Sequence, residues 1–378
     1  MVYLEKYKED IYTCNRTRCG FCRDGCPVYE DMLFESYTSR GKMILARAFL
    51  EGVIKPSEEL MNVLYACTTC GYCKVRCALD TVRIFEAFRA ELVNLGLKDM
   101  YHERVLQFIN ENGNPYGRDK KERSGWANGI RFDNSSDTLF FAGCGYSYEF
   151  PDAIRCAALT LINAGVELKY LGAEEPCCNH FSKTTGHWET FTEYVKKNYK
   201  MFKSEGVKRI ITSCPACFKA FSQEYPEFLP EFDIEVLHYS QVLVKLLDEG
   251  KLKPKNEIKM KVAYHDPCHL GRHMKIFEEP REILNKIPGL EVIEFERNRY
   301  ESYCCGGGGG LFATRPDISM RIAYRRIAEV ADRGIDAIVT ICPTCESILK
   351  RAVEYEELNI KVLDLAELVY QSCMKKEK

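Results

Sequence analysis

The chain has 378 residues, 46% of them hydrophobic, and its 53 basic and 55 acidic side chains leave a formal net charge of -2. That length accommodates a sizeable core and two or three domains, while the near-balanced charge gives no electrostatic case for nucleic acid. The N-terminal "MVYLEKYKEDIYTC" has no signal-peptide core and no run is long and apolar enough to span a bilayer, so a cytoplasmic protein is expected, any membrane attachment coming through a partner.

Residues 1–125 read as helical, with cysteines expected in the turns. "SRGKMILARAFLEG" and "FEAFRAELVNLGL" carry apolar residues at helical spacing. Cys67, Cys70, Cys73 and Cys77 form the Cys-x2-Cys-x2-Cys-x3-Cys run that holds a cubane 4Fe–4S cluster. The partner run, "CNRTRCGFCRDGCP", supplies Cys19, Cys22 and Cys26-Pro27, but Arg16 stands where its first cysteine belongs. Cys14 lies two residues upstream, and a two-residue insertion lets it reach. The resulting spacing also matches the start of the plant-type 2Fe–2S run; the Cys-Pro ending and the second full motif favour two cubanes. With ligands exchanged as in two-cluster ferredoxins, one cluster takes Cys14, Cys19, Cys22 and Cys77. The other takes Cys67, Cys70, Cys73 and Cys26.

The stretch 110–129, rich in Asn, Gly and charge, reads as a linker or an ordered wrapping segment. Beyond it strands alternate with helices, implying parallel βαβ units. "DTLFFAGC" and "VKRIITSCPAC" read as strands ending at cysteines, with "VELKYLG" a further strand candidate. "PDAIRCAALTLINAG" and residues 186–204 read as helices. The pattern recurs in "KVAYHDPC", "LEVIEFE" and "IDAIVTICPTC".

The cysteines repeat as well. One set is Cys144, Cys177, Cys178, Cys214 and Cys217; the other is Cys268, Cys304, Cys305, Cys342 and Cys345. The offset between the copies is 124, 127 and 128 residues at the first cysteine, the pair and the final Cys-x-x-Cys. The expected architecture is α+β: a helical domain at 1–125 and two repeated Rossmann-like α/β domains at 136–255 and 256–378. Each cysteine set belongs at strand C-terminal ends, where such sheets bind ligands, and the two copies are expected to face each other across a pseudo-twofold axis. Of 20 cysteines, only Cys156 and Cys373 stand outside these groups and read as spare thiols. Without a secretion signal, metal ligation is favoured over disulfides. Five glycines, 306–310, follow Cys304-Cys305 and let bare backbone amides close on cluster sulfurs.

The doubled five-cysteine motif, with "YHDPCHLGRHMK" and "CCGGGG", resembles the cysteine-rich domain of the heterodisulfide reductase family. A ferredoxin domain fused ahead of two copies resembles the catalytic subunit of its membrane-linked form. The resemblance implies two noncubane 4Fe–4S clusters, one on each five-cysteine set, besides the two cubanes. They would face each other and split a small anionic disulfide, such as that of coenzyme M and coenzyme B. "PCCNH" departs from the pattern by placing Asn179 and His180 where glycine often follows the pair.

His269, beside Cys268, could protonate a thiol product or merely orient its loop; the resemblance implies the first. His180 is the equivalent candidate, or a hydrogen-bond donor to a cluster sulfur. His265 reads as a core residue. Lys183, Arg272, His273 and Lys275 are candidates to meet an anionic substrate, or ordinary solvated charges. The competing function is an electron-transfer subunit of a flavin-dependent dehydrogenase or benzoyl-CoA reductase type complex. No Gly-x-Gly-x-x-Gly follows a strand, so flavin and nicotinamide belong to a partner. The expected partner is a flavoprotein, a hydrogenase-type subunit or a haem membrane anchor.

Overall fold

The computed structural model describes residues 1–374. Among them no strand precedes Thr138, and the N-terminal part is built from helices. Local capping sets their starts. Thr38 accepts a hydrogen bond from the Gly41 N–H ahead of Ser39–Leu50, and Ser57 accepts one from Leu60 ahead of Glu58–Tyr65. Asp80 caps Thr81–Asn94, and Asp99 accepts from the Tyr101 and His102 N–H groups at the start of Met100–Asn112. Apolar faces meet in a core of Leu4, Ile11, Met43, Leu64, Phe85 and Phe88. The cysteines do not all sit in turns: Cys14 lies inside Lys8–Thr17 and Cys73 inside the short helix Tyr72–Val75.

The 110–129 stretch is an ordered wrapping segment. It contains the 3-10 helix Lys120–Ala127, whose Arg123 and Trp126 are buried against the first sheet and the loop before Cys177.

Two parallel sheets follow. The first runs β1 (Thr138–Phe141), β2 (Arg209–Thr212), β3 (Glu235–His238), with Leu139 opposite Ile210 and Ile210 opposite Val236. The second contains β4 (Met260–Tyr264), β5 (Leu290–Glu294), β6 (Ala337–Thr340) and β7 (Lys361–Asp364), in the order β5-β4-β6-β7. The "VELKYLG" candidate forms no strand, only one bridge between Lys169 and Leu139. That bridge occupies the edge of β1 that β5 occupies on β4, so the two copies share one topology. One hydrophobic core runs through both copies, joining Leu139, Phe140 and Ile210 to Val262, Ala337 and Leu365.

Across the join, Tyr146 donates to the buried Asp364 at 2.6 Å. Burial lifts Asp364 from 3.8 to about 7, the Tyr146 hydroxyl and the Ala366 N–H opposing. A raised carboxyl holds its proton in the folded state, so its contribution falls as pH climbs from the unfolded value through the folded one. Asp364→Asn keeps the acceptor that caps Leu365–Cys373. It is expected to raise the melting temperature at about pH 8 and leave it unchanged near pH 4, as thermal scans at both would show.

Candidate metal centre

The strand ends position the cysteines. Cys214 and Cys342 follow β2 and β6 by two residues, and Cys268 follows β4 by four. Cys26, Cys214 and Cys342 share a further device. Each is extended, with ψ of 111°, 117° and 119°, immediately before a helix that begins with proline. Proline fixes the first helical φ, keeps the preceding residue extended and leaves the sulfur near the positive helix end.

The N-terminal cysteines gather as two exchanged sets. Cys14 is pushed up to about 11 by burial, then by neighbouring Cys22, Cys77 and Cys19. Cys26, pushed up to about 12 by burial, lies beside Cys67 and Cys70, as Cys73 does. The sulfurs of Cys22, Cys67 and Cys77 accept hydrogen bonds from the backbone N–H groups of Arg40, Thr69 and Leu79, at 3.3, 3.4 and 3.4 Å.

Both C-terminal sets are buried. Cys217 and Cys178 lie 3.3 Å apart, and hydrogen bonds from Cys177 and Cys217 bring Cys178 down to about 6. Cys305 is held well below the usual thiol value by the neighbouring Cys304 and Cys345 thiols, with the nearby His265 ring adding to the effect. Arg326 Nε donates to His265 Nδ1 at 3.0 Å, so the other ring nitrogen carries the proton and is buried without a partner, the ring lying within 4.8 Å of the Cys305 and Cys345 sulfurs. His265 is thus a core residue that also touches the sulfur set. Arg123 donates to Cys144 at 3.3 Å and pairs with Glu175 at 3.0 Å. Glu175 in turn accepts from the Ala142 and Gly143 N–H groups at 2.8 and 2.9 Å, fixing the loop that presents Cys144.

The Asn179 departure is conformational. Asn179 has φ +56° and Gly306, its counterpart 127 residues on, has φ +92°. The N–H of each donates to the first cysteine of its pair at 3.3 Å. Asparagine is the side-chain-bearing residue that best tolerates this left-handed turn, so the turn survives. His180 then stands where the second copy has Gly307, so the first copy presents an imidazole directly after its cysteine pair and the second does not.

The glycine run has two tasks. Gly306 and Gly307 turn their amides to Cys304 and Cys305, at 3.3 and 3.5 Å. Gly308 and Gly309 instead pass against the N-terminal cysteine loop: a Cβ on Gly308 would lie 2.6 Å from the Thr68 carbonyl oxygen, and one on Gly309 2.4 Å from that of Cys67. Here too Cys70 and Cys304 pack in one buried cluster, joining an N-terminal set to a C-terminal one.

The two C-terminal sets open onto one cavity of about 330 Å³, which His180 and His269 also line. Their rings meet edge-on at 5.0 Å, and His269 stacks on His273 at 4.8 Å. His180 Nδ1 is 2.8 Å from Glu224. Burial alone would raise Glu224, but His180, Lys219 and Lys183 together hold it well below the usual carboxylate range. His269 Nδ1 lies 3.4 Å from Cys268, while its Nε2 is buried without a partner. Burial, then His273 and Lys219, keep His269 well below the usual imidazole value.

The four cations considered for an anionic substrate do not line this cavity. Lys183 is buried in an ion pair with Glu86. Arg272 donates to the Cys70 and Ser302 carbonyls, and His273 pairs with the Thr69 carbonyl at 3.0 Å. Lys275 lies with His273 along a separate polar basin. Sequence reasoning also missed Arg89, a buried side chain bonded to the carbonyls of Leu64, Cys67, Thr184 and Gly309.

Four groups of thiols, free of disulfides and supplied with N–H···S hydrogen bonds, suit iron–sulfur clusters, since thiolates are the customary ligands of such clusters. They define an iron–sulfur oxidoreductase component. Residues 10–81 match the 4Fe-4S dicluster domain, and residues 138–222 and 262–350 match the Cysteine-rich domain. The chain is 31% identical to a subunit of the dihydromethanophenazine:CoB–CoM heterodisulfide reductase of Methanosarcina mazei, across 94% of this chain and 93% of that one. It is 30% identical to an EtfAB:quinone oxidoreductase of Syntrophomonas wolfei, over 96% of this chain and 58% of that longer protein. A hypothetical protein from Helicobacter pylori shares the fold at a TM-score of 0.57 and 13% identity, covering 89% of this chain and 68% of that one. The chain belongs to the same family as the Methanosarcina heterodisulfide reductase component.

Proposed function

We propose that this chain reduces a disulfide in the cavity between its two five-cysteine sets, with electrons delivered through its helical N-terminal part. The observation that carries this reading is that both sets open onto one cavity with two imidazoles between them. Residues 1–125 would hold two cubane clusters on the exchanged sets. Residues 136–255 and 256–378 would each hold one noncubane 4Fe–4S cluster on five cysteines. Seated there, these clusters would supply one-electron storage and iron that binds sulfur.

The chain's own residues do the rest. Cys19 is exposed, and Phe21 beside it is 69% exposed, so the first N-terminal set faces a partner. The Cys70–Cys304 contact leads inward from the second. His180, backed by Glu224, is placed to give a proton to a departing thiolate; His269 orients the Cys268 loop. This assignment exchanges the weight given to the two histidines by sequence alone. Relatives are named as subunits of heterodisulfide and fumarate reductases, so a complex supplies the electrons. A flavoprotein, a hydrogenase-type subunit or a haem anchor are the proposed donors. Among the described residues no helix is long and apolar enough to cross a membrane.

A second reading is favoured by the likeness to the quinone oxidoreductase: the chain passes electrons on and reduces no disulfide itself. Anaerobic iron analysis separates occupied from vestigial sets, since four clusters require about 16 iron atoms and two require about eight. At full iron, His180→Ala is expected to slow viologen-driven disulfide reduction at least about tenfold, with His269→Ala milder. Unchanged turnover in His180→Ala would remove it as the proton donor.

A further inference from the structure

Of the side chains lining the shared cavity, none is Lys, Arg, Asp or Glu. Those that keep some exposure include Val105, Pro115, Tyr116, Phe181, Phe312 and Ala313, a mostly apolar and aromatic mouth with only Thr344 and His180 as polar side chains. The neighbouring buried cations are already engaged. Arg123 is held by Glu175 and Cys144, Lys219 by Glu224, Lys183 by Glu86, and Arg272 by backbone carbonyls. The Gly307 amide, otherwise a donor for an anion, bonds to Cys305. An anionic group carried in beside the reacting sulfurs would lose its water and find no free lysine or arginine, and the one imidazole with a carboxylate partner, His180, is already held by Glu224 at 2.8 Å, which is strongly unfavourable.

We propose that this cavity selects an uncharged disulfide whose arms next to the sulfurs are hydrocarbon, and discriminates against one bearing sulfonate or carboxylate there. This rests on the disulfide-reductase reading and replaces the anionic substrate expected from the resemblance. The reaction is the two-electron cleavage of the S–S bond: RSSR, two electrons and two protons give two RSH. The electrons come from a one-electron reductant of the partner class, reduced viologen standing in for it.

The test uses the iron-loaded chain under anaerobic conditions and two compounds with the same carbon–sulfur skeleton. One is bis(2-hydroxyethyl) disulfide; the other is its bis-sulfonate, 2,2′-dithiodiethanesulfonate. Each is paired with an analogue in which one sulfur is replaced by methylene, which binds without being reduced. Calorimetry on the two analogues is expected to give at least about tenfold tighter binding for the neutral one. Val105→Arg, on the partly exposed face of Met100–Asn112, is expected to reverse that preference while iron content stays constant. Equal or tighter binding of the sulfonate by the parent chain would overturn the proposal, and so would failure of the neutral analogue to bind. Tight binding of the neutral analogue without viologen-driven reduction of the neutral disulfide would uphold the selectivity and sink the disulfide-reductase reading, so the two failures are distinguishable.

Discussion

Gly309→Ala is expected to cut electron delivery to the shared cavity at least about tenfold without removing iron from either part of the chain. Gly309 has φ +66°, and an added Cβ would stand 2.4 Å from the Cys67 carbonyl oxygen and 2.7 Å from the Thr68 carbonyl carbon. Both are backbone atoms of the loop that carries the second N-terminal set, so no side-chain rotation relieves the clash. The left-handed backbone costs a further ~1 kcal/mol for a residue with a Cβ. The loop must move away, and the contact between Cys70 and Cys304 opens with it. Gly52→Ala is the control: its φ is +71° but nothing lies within 4 Å of the added carbon, so it carries the strain without the clash. Stopped-flow reoxidation of the prereduced chain by a disulfide reads the outcome. A Gly309→Ala variant as fast as Gly52→Ala would show that this close approach is not on the electron path.

Arg89→Met is expected to destabilise the fold by about 3–5 kcal/mol and to loosen the same junction. One guanidinium satisfies carbonyls from three places: Leu64 at 2.8 Å and Cys67 at 2.7 Å in the N-terminal part, Thr184 at 2.8 Å after the first cysteine pair, and Gly309 at 3.0 Å after the second. It also lies over the Tyr65 ring at 5.1 Å. Methionine fills the volume but leaves four buried acceptors without a donor, at about 1–3 kcal/mol each before relaxation. Arg89→Lys restores the charge but not the planar fork, and should recover only part of the loss. Anaerobic thermal melting of the iron-loaded chain measures both. A methionine variant that melts with the parent would show that water replaces the guanidinium at no cost.

Much of the site was legible because thiol chemistry leaves spacing behind. The exchanged N-terminal sets and the two five-cysteine sets fall together as their sequence spacing anticipates. The strands ending at cysteines were visible for the same reason that they are buried: "LFFA" and "AIV" are short continuous apolar runs. β3 and β7 escaped notice because they are four residues each and only partly buried, so neither alternation nor an apolar run marks them. "VELKYLG" misled for the converse reason: it has strand composition at a sheet edge that offers a single bridge. The substrate-facing polarity could not be read at all. Lys183 and Arg272 look like surface charges in sequence, and only the fold shows them turned into ion pairs and carbonyl clamps. The Asn179 departure changes a residue and not the backbone, which keeps the same turn in both copies, and the new feature is His180.

The most direct test of the account is a single turnover. The chain, loaded with iron and reduced with dithionite that is then removed, is mixed anaerobically with excess bis(2-hydroxyethyl) disulfide. Thiol release and the paramagnetic signals of the reduced clusters are followed together. The account predicts two thiols for every two electrons lost from the clusters, with the N-terminal signals decaying as thiol appears. Clusters that stay reduced while all the iron is present, with no thiol formed, would contradict it.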